Sequence, residues 1–225
     1  MRRYILLVLI IFPAFCWSQV YVGVKTGYSP LSTVSFKPNL KETIFVGERL
    51  DYGLVLKYFD NKWMGFQGEL NFTQRGYNRP YPNTNDTAQL RQVNNYIELP
   101  ILMQLHINLA SVYLHFNAGC YAAYLLSAKQ GVDTTGSMVL KNYQFNILRD
   151  NRFDYGLIGG AGLSHEFSWG VIQVEARISY SYGDLYKYTY AGMPEQSKAV
   201  VQNVSISYMY NFSKFGQRKK QNGNQ

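Results

Sequence analysis

Three histidines, His106, His115 and His165, are the side chains best suited to acid–base or metal chemistry. A neutral imidazole accepts a proton near neutral pH and ligates metals. His165 stands between Ser164 and Glu166, residue types that a lipid-modifying enzyme would use beside its base. A second set carries charge: Lys25, Asp51, Lys57, Glu69, Arg75, Glu98, Asp154, Glu175 and Arg177. Those nine would either line a pore or proton path, or pair with one another. Two cysteines, Cys16 and Cys120, cannot form a disulfide scaffold or a multi-cysteine zinc site. No cofactor is expected.

The elements that must position these groups are read from period-two alternation, which gives a strand one apolar and one polar face. Eight segments show it. Val20, Val22 and Val24 alternate with Tyr21, Gly23, Lys25 and Gly27; Leu50 to Tyr58 with Asp51, Gly53, Val55 and Lys57. Met64, Phe66, Leu70 and Phe72 oppose Gln67, Glu69, Asn71, Thr73 and Arg75. Ile97 to Ile107 oppose Tyr96, Glu98, Gln104 and His106, and Leu114 to Tyr124 oppose His115, Asn117, Gly119 and Tyr121. Phe153 to Leu163 oppose Asp154, Gly156, Gly160, Gly162 and Ser164. Ile172 to Tyr182 alternate with Gln173, Glu175, Arg177, Ser179 and Ser181, and Val204 to Phe212 with Asn203, Ser205, Ser207 and Asn211. No helical crossover separates these segments, so the expected fold class is all-β, an eight-stranded antiparallel up-and-down barrel. All three histidines then fall near the rim with the tight turns. The Ser164–His165–Glu166 run fails as a catalytic set, because adjacent strand residues point to opposite faces.

Short turns near 60–62, 108–110 and 168–170 alternate with long links over roughly 29–42, 77–93, 127–150 and 183–197. That arrangement, on an even number of strands, fits an outer-membrane barrel. A lipocalin-like soluble barrel shares the strand count but turns its apolar face inward. The polar sets here are small and only sparsely charged, which suits the cramped lumen of a small barrel. Aromatics make up 16% of the chain, with 20 Tyr and 13 Phe, and many stand near strand ends, as interfacial girdles do. The apolar faces are therefore expected to meet lipid. Inward charges of both signs are then expected to pair as a packed lumen network, since unpaired buried charge is costly.

Residues 1–18 have the layout of a secretory signal peptide: Arg2 and Arg3, an apolar stretch from Tyr4 to Phe12, then Cys16 and Ser18 before Gln19. The barrel domain is expected over 19–212 and a basic periplasmic tail over 213–225. Much of the net charge of +8 sits in Lys214, Arg218, Lys219 and Lys220 of that tail, so nucleic acid is not an expected partner. Outer-membrane lipid and the barrel assembly machinery are, and envelope or secretion-system proteins are further candidates.

Asn94-Asn95-Tyr96-Ile97-Glu98-Leu99-Pro100-Ile101-Leu102 resembles the NYIELPLLL signature of PorT-like outer-membrane β-barrel proteins. Gly23–Gly27, Phe116–Gly119, Phe153–Gly156, Gly160–Gly162 and Glu175–Tyr180 resemble their other strands, in the same order. The resemblance implies an eight-stranded barrel of OmpA- and OmpX-like build, without enzymatic activity. In one branch it implies an accessory role in type IX protein secretion. It further implies that Tyr208, Tyr210 and Phe212 form the terminal segment read during assembly. Thr87 and Thr134, in Asp86-Thr87-Ala88 and Asp133-Thr134-Thr135, match sites that hosts of this family O-glycosylate.

Overall fold

A computed structural model describes residues 19–37, 43–46, 50–59, 63–80, 89–133, 139–190 and 193–211. The leader 1–18, Thr87, Thr134, Phe212 and the tail 213–225 lie outside the described residues.

The strands are β1 (Gln19–Lys37), β2 (Thr43–Val46), β3 (Leu50–Phe59), β4 (Met64–Pro80) and β5 (Gln89–Leu109). They continue with β6 (Val112–Asp133), β7 (Lys141–Asn142), β8 (Phe153–Phe167), β9 (Gly170–Ser181) and β10 (Gln196–Asn211). Eight of them form an antiparallel ring in chain order, β1-β3-β4-β5-β6-β8-β9-β10, closed by β10 against β1. The short β2 continues the β3 edge along β1, and β7 pairs with β6. Closure runs from Tyr21 opposite Asn211 to Lys37 opposite Gln196. A closed ring leaves no sheet edge unpaired, the condition for putting a sheet into hydrocarbon.

The alternation is inside-out relative to a soluble protein. Leu54, Ile101 and Ile178 are each at least 56% exposed, while Gln104 and Gln173 are fully buried. Lipid, not water, is the solvent that such an outer face requires.

Tight turns close one end. Ala110-Ser111 joins β5 to β6, with Ala110 at φ 59°, the left-handed conformation that a two-residue hairpin favours. Ser168-Trp169 joins β8 to β9. At the other end much of what the sequence suggests as loop is strand. β5 and β6 are 21 and 22 residues long, about twice the 9–11 needed to cross a bilayer. The ladders shift register at Tyr28/Leu31 between β1 and β10 and at Asn95/Tyr96 between β5 and β6. Beyond them Asn95 Nδ2 donates to Ser127 Oγ at 2.8 Å on the exposed side of the wall. On β1 and β6, which carry the extra residue, the shifts break uniform alternation; β5 keeps its inward parity through Leu90, Gln92 and Asn94, but its outward residues there are no longer uniformly apolar.

The lumen is not polar throughout. Tyr21, Val55 and Met209 form an apolar plug at the turn end, with Phe59 and Val171 against it. Tyr96, Leu102, Tyr121, Ala123, Leu125 and Ile158 pack at a second level, and Val34, Tyr77 and Ala199 at a third.

Candidate functional site: the lumen network and its outer cap

All nine charged residues singled out from the sequence are buried. They divide into two clusters and a single carboxylate. The first joins three walls. Glu175 and Arg177 stand two apart on β9, hence on one face, with Glu69 reaching in from β4 and Lys25 from β1. Arg177 Nη1 and Nη2 donate to Glu69 Oε2 and Oε1 at 2.9 and 2.6 Å, a fork on a carboxylate. Arg177 Nη2 is 2.5 Å from Glu175 Oε1, and Lys25 Nζ lies 3.0 Å from Glu69 and 3.2 Å from Glu175. Gln67 and Asn71 donate to Glu69, and Asn117 and Gln173 to Glu175. Lys57 donates to Gln173 Oε1 at 2.8 Å.

Six residues farther along β4, Arg75 anchors the second cluster. It bonds Glu98 on β5 and reaches Asp154 on β8 at 2.5 Å. Its guanidinium lies 4.9 and 5.0 Å from the ring centroids of Tyr96 and Tyr121, a cation–π sandwich inside the barrel. Tyr121 and Ser181 also donate to Asp154. Asp51 belongs to neither cluster. Its carboxylate accepts from Ser29 Oγ, Asn203 Nδ2 at 2.7 Å and the Gln74 N–H at 3.2 Å.

The histidines do not converge. His115 is wholly buried in the lumen, not at a rim turn, with its ring stacked 5.7 Å from that of His106 and its Nε2 3.8 Å from Glu175. Gly160 and Gly162 on β8 make room for Arg177, His115 and Glu175. His106 shares a 2.8 Å hydrogen bond with Gln104. His165 donates to the Ser111 carbonyl in the turn and packs on Phe167. Ser164 beside it is buried. No group of three His, Cys, Asp or Glu among the described residues is placed to hold a metal ion.

Tyr208 and Tyr210 face outward on β10, opposite Val24 and Val22 of the closing strand. Tyr208 hydroxyl donates to the Trp169 carbonyl at 3.1 Å. Cys120 is a free thiol on the outer face.

A structure that the alternation does not reveal covers the long-link end. Tyr77 donates to Gln92 at 2.8 Å and its hydroxyl meets that of Tyr186 at 2.5 Å. Tyr77, which the alternation left in a link, keeps the parity of Arg75, and that parity carried two residues further would have placed it inward; Tyr186 enters from a non-strand segment and carries no such signal. Asp150 forms an isolated bridge to Tyr186, which ties 143–152 to 183–190. Burial pushes the Asp150 carboxyl up, but hydrogen bonds from Arg149, the Asn146 N–H and Tyr143 outweigh it and hold the group below its ordinary range.

A closed eight-stranded barrel with a lipid-facing belt and a bridged polar interior defines an integral outer-membrane protein. The chain belongs to the outer membrane protein beta-barrel domain family, whose model matches residues 17–187, and it resides in the bacterial outer membrane. Among solved structures it is similar to Ail, the attachment invasion locus protein of Yersinia pestis, with 16% identity over 85% of this chain and 99% of that one, TM-score 0.43. It is also similar to OprG of Pseudomonas aeruginosa, with 11% identity over 86% and 95% and TM-score 0.44. Neisserial surface protein A aligns at 12% identity over 84% and 96%, TM-score 0.39. No curated protein matches the chain.

Proposed function

We propose that this chain is a non-enzymatic envelope protein whose lumen does not conduct and whose work is done by the wall and cap beyond the outer leaflet. The observation that carries this is the cross-lumen bridge. Arg177 on β9 holds Glu69 on β4 through two hydrogen bonds, so side chains span the interior where a channel would need an open path. An eight-stranded barrel has little lumen beyond its own side chains. Meanwhile β5 and β6 carry about twice the length needed to cross, which presents a protein surface outside. The test is reconstitution into planar bilayers. The expected trace is flat, and steady unitary currents in the wild type would overturn the reading.

A second reading is supported by the Asn94–Leu102 segment, which resembles the PorT-like signature and begins where the β5–β6 ladder shifts register. On that reading the protein is an accessory of type IX secretion, with secretion-system components as partners. Deleting the gene and assaying export of type IX cargo tests it. Unchanged export would remove this reading without touching the first.

A further inference from the structure

The cations of this barrel fall into two populations. In the lumen, Lys25, Arg75 and Arg177 pair with carboxylates and Lys57 bonds Gln173. At the long-link end, Arg152, Lys187 and Lys198 have no carboxylate at ion-pair distance among the described residues. Over 139–152 and 183–190 the exposed charged side chains, Lys141, Arg152 and Lys187, are all positive. Asp150 is buried against Arg149, and Asp184 accepts from the Ser197 N–H. Glu195, an exposed acid three residues before Lys198, does not pair with it.

Two of these cations stand at the edge of the lipid-facing wall. Phe153, Tyr155, Tyr180 and Tyr182 are outward rings of β8 and of β9 and its end. Their centroids lie 6.1 Å apart for Phe153 and Tyr155, 6.4 Å for Tyr155 and Tyr182, and 5.4 Å for Tyr180 and Tyr182. Lys198 Nζ lies 6.0 Å over the Tyr182 ring. Arg152 immediately precedes Phe153, and its guanidinium lies 4.3 Å from the Phe145 ring centroid. The Arg152 carbonyl accepts from the Leu125 N–H, one step beyond the Tyr124–Phe153 pair. The aromatic ladder thus has a cation on each flank, and this locus is continuous with the surface that meets hydrocarbon.

Rings with polar tips settle at the membrane interface. Cations at that level, unmatched by the chain, call for negative charge from outside it. Phosphate is the anion that a headgroup layer offers, and both guanidinium and ammonium bind it. A second copy docked through the same face would set Arg152 and Lys198 against their equivalents, which like charge opposes.

We infer that Arg152 and Lys198, flanking the Phe153–Tyr155–Tyr182 ladder, form a binding site for the phosphate of an anionic lipid in the outer leaflet, with its acyl chains against the apolar belt. The site goes beyond a closed lumen, and its failure would leave the non-conducting reading intact, because conductance is not its readout.

The experiment mixes the full-length protein, refolded in detergent, with phosphatidic acid or with phosphatidylcholine of the same acyl chains. Retained lipid is counted by native mass spectrometry, after each sample is checked for heat-modifiable mobility. Wild type should retain more phosphatidic acid than phosphatidylcholine. Arg152→Gln and Lys198→Gln should each lower phosphatidic acid retention by about fivefold, the contribution of one Lys or Arg at an anionic headgroup layer, and the double variant by more. Lys141→Gln is the control, on β7 opposite Gln130 and so six residues beyond Tyr124 along β6; it should retain as much as wild type. The single variants carry the comparison where the double variant does not refold. Equal retention of the two lipids by wild type, unchanged retention in both single variants, or an equal loss in Lys141→Gln would overturn the inference. A two-chain mass in wild type that either single substitution abolishes would assign the face to a second copy and overturn it as well.

Discussion

Arg177 and Glu69 are 108 residues apart in the chain and meet in the lumen through two hydrogen bonds of 2.9 and 2.6 Å. This contact ties β4 to β9 through the interior, independently of the hydrogen-bonded wall. Removing one partner leaves buried charge unmatched, at a cost of about 3–5 kcal/mol. Arg177→Gln should therefore lower the temperature at which the heat-modifiable form is lost on SDS gels. Adding Glu69→Gln should restore part of the loss, since the two residues are coupled. Additive losses in the double variant would show that the pair is not the unit of stability.

Glycine on β8 supplies a second test. A Cβ at Gly162 would stand 2.3 Å from the Val174 carbonyl oxygen, 2.6 Å from His115 Nε2 and 2.7 Å from Glu175 Cβ, whereas one at Gly68 would meet nothing within 4 Å. Overpacking of this kind typically costs about 1–3 kcal/mol. Gly162→Val should destabilise the barrel and Gly68→Ala should not, measured by denaturant unfolding of refolded protein. Equal effects would remove the argument that β8 is thinned to let the β9 backbone and the network side chains approach it.

These two cases show what the sequence disclosed and what it withheld. Parity alone placed Glu69, Glu175, Arg177 and His115 inward, because successive strand residues alternate between two faces whatever the partner. Parity says nothing about which inward residues meet across a lumen, and that depends on strand stagger. The Glu69–Arg177 fork and the burial of His115 are therefore products of the closed ring. A different limit hides the outer wall: Leu90, Gln92 and Asn94 stay inward in step with Tyr96 and Glu98, but the outward residues Arg91 and Asn95 are polar, so the apolar face that reveals Ile97–Ile107 ends there, while on β6 the unpaired Leu126 shifts the parity.

The cap makes a pH prediction. Asp150 is held below its ordinary range in the folded protein, so its ionised form adds stability that is present above the unfolded carboxylate pKa, about 4. That contribution is lost as pH falls through the lower folded value. Acidification should therefore loosen 143–152 and 183–190, seen as increased protease cleavage in those segments with the barrel intact. Asp150→Asn should show the looser pattern already at neutral pH. Cleavage that is unchanged by both treatments would mean the Arg149–Asp150 pair does not hold the cap.

Closure of the barrel makes the last prediction. β10 lies between β9 and β1, and Tyr208 and Tyr210 sit opposite Val24 and Val22 where the ring closes. Both rings face outward near the turn end, and Tyr208 bonds the Trp169 carbonyl while its ring lies 5.4 Å from that of Trp169. An aromatic ring with a polar tip suits the membrane interface, where one end is apolar and the other wet. Replacing both with serine removes that anchoring but leaves the backbone ladder available. The variant Tyr208→Ser with Tyr210→Ser should thus reach the envelope yet yield much less heat-modifiable barrel in outer-membrane fractions. A control at Gln202, exposed on the same strand but farther from the turn end, should assemble normally as Gln202→Ser. If the double tyrosine variant assembles as efficiently as that control, the closing strand is held by its backbone ladder alone and the aromatic pair contributes nothing to insertion.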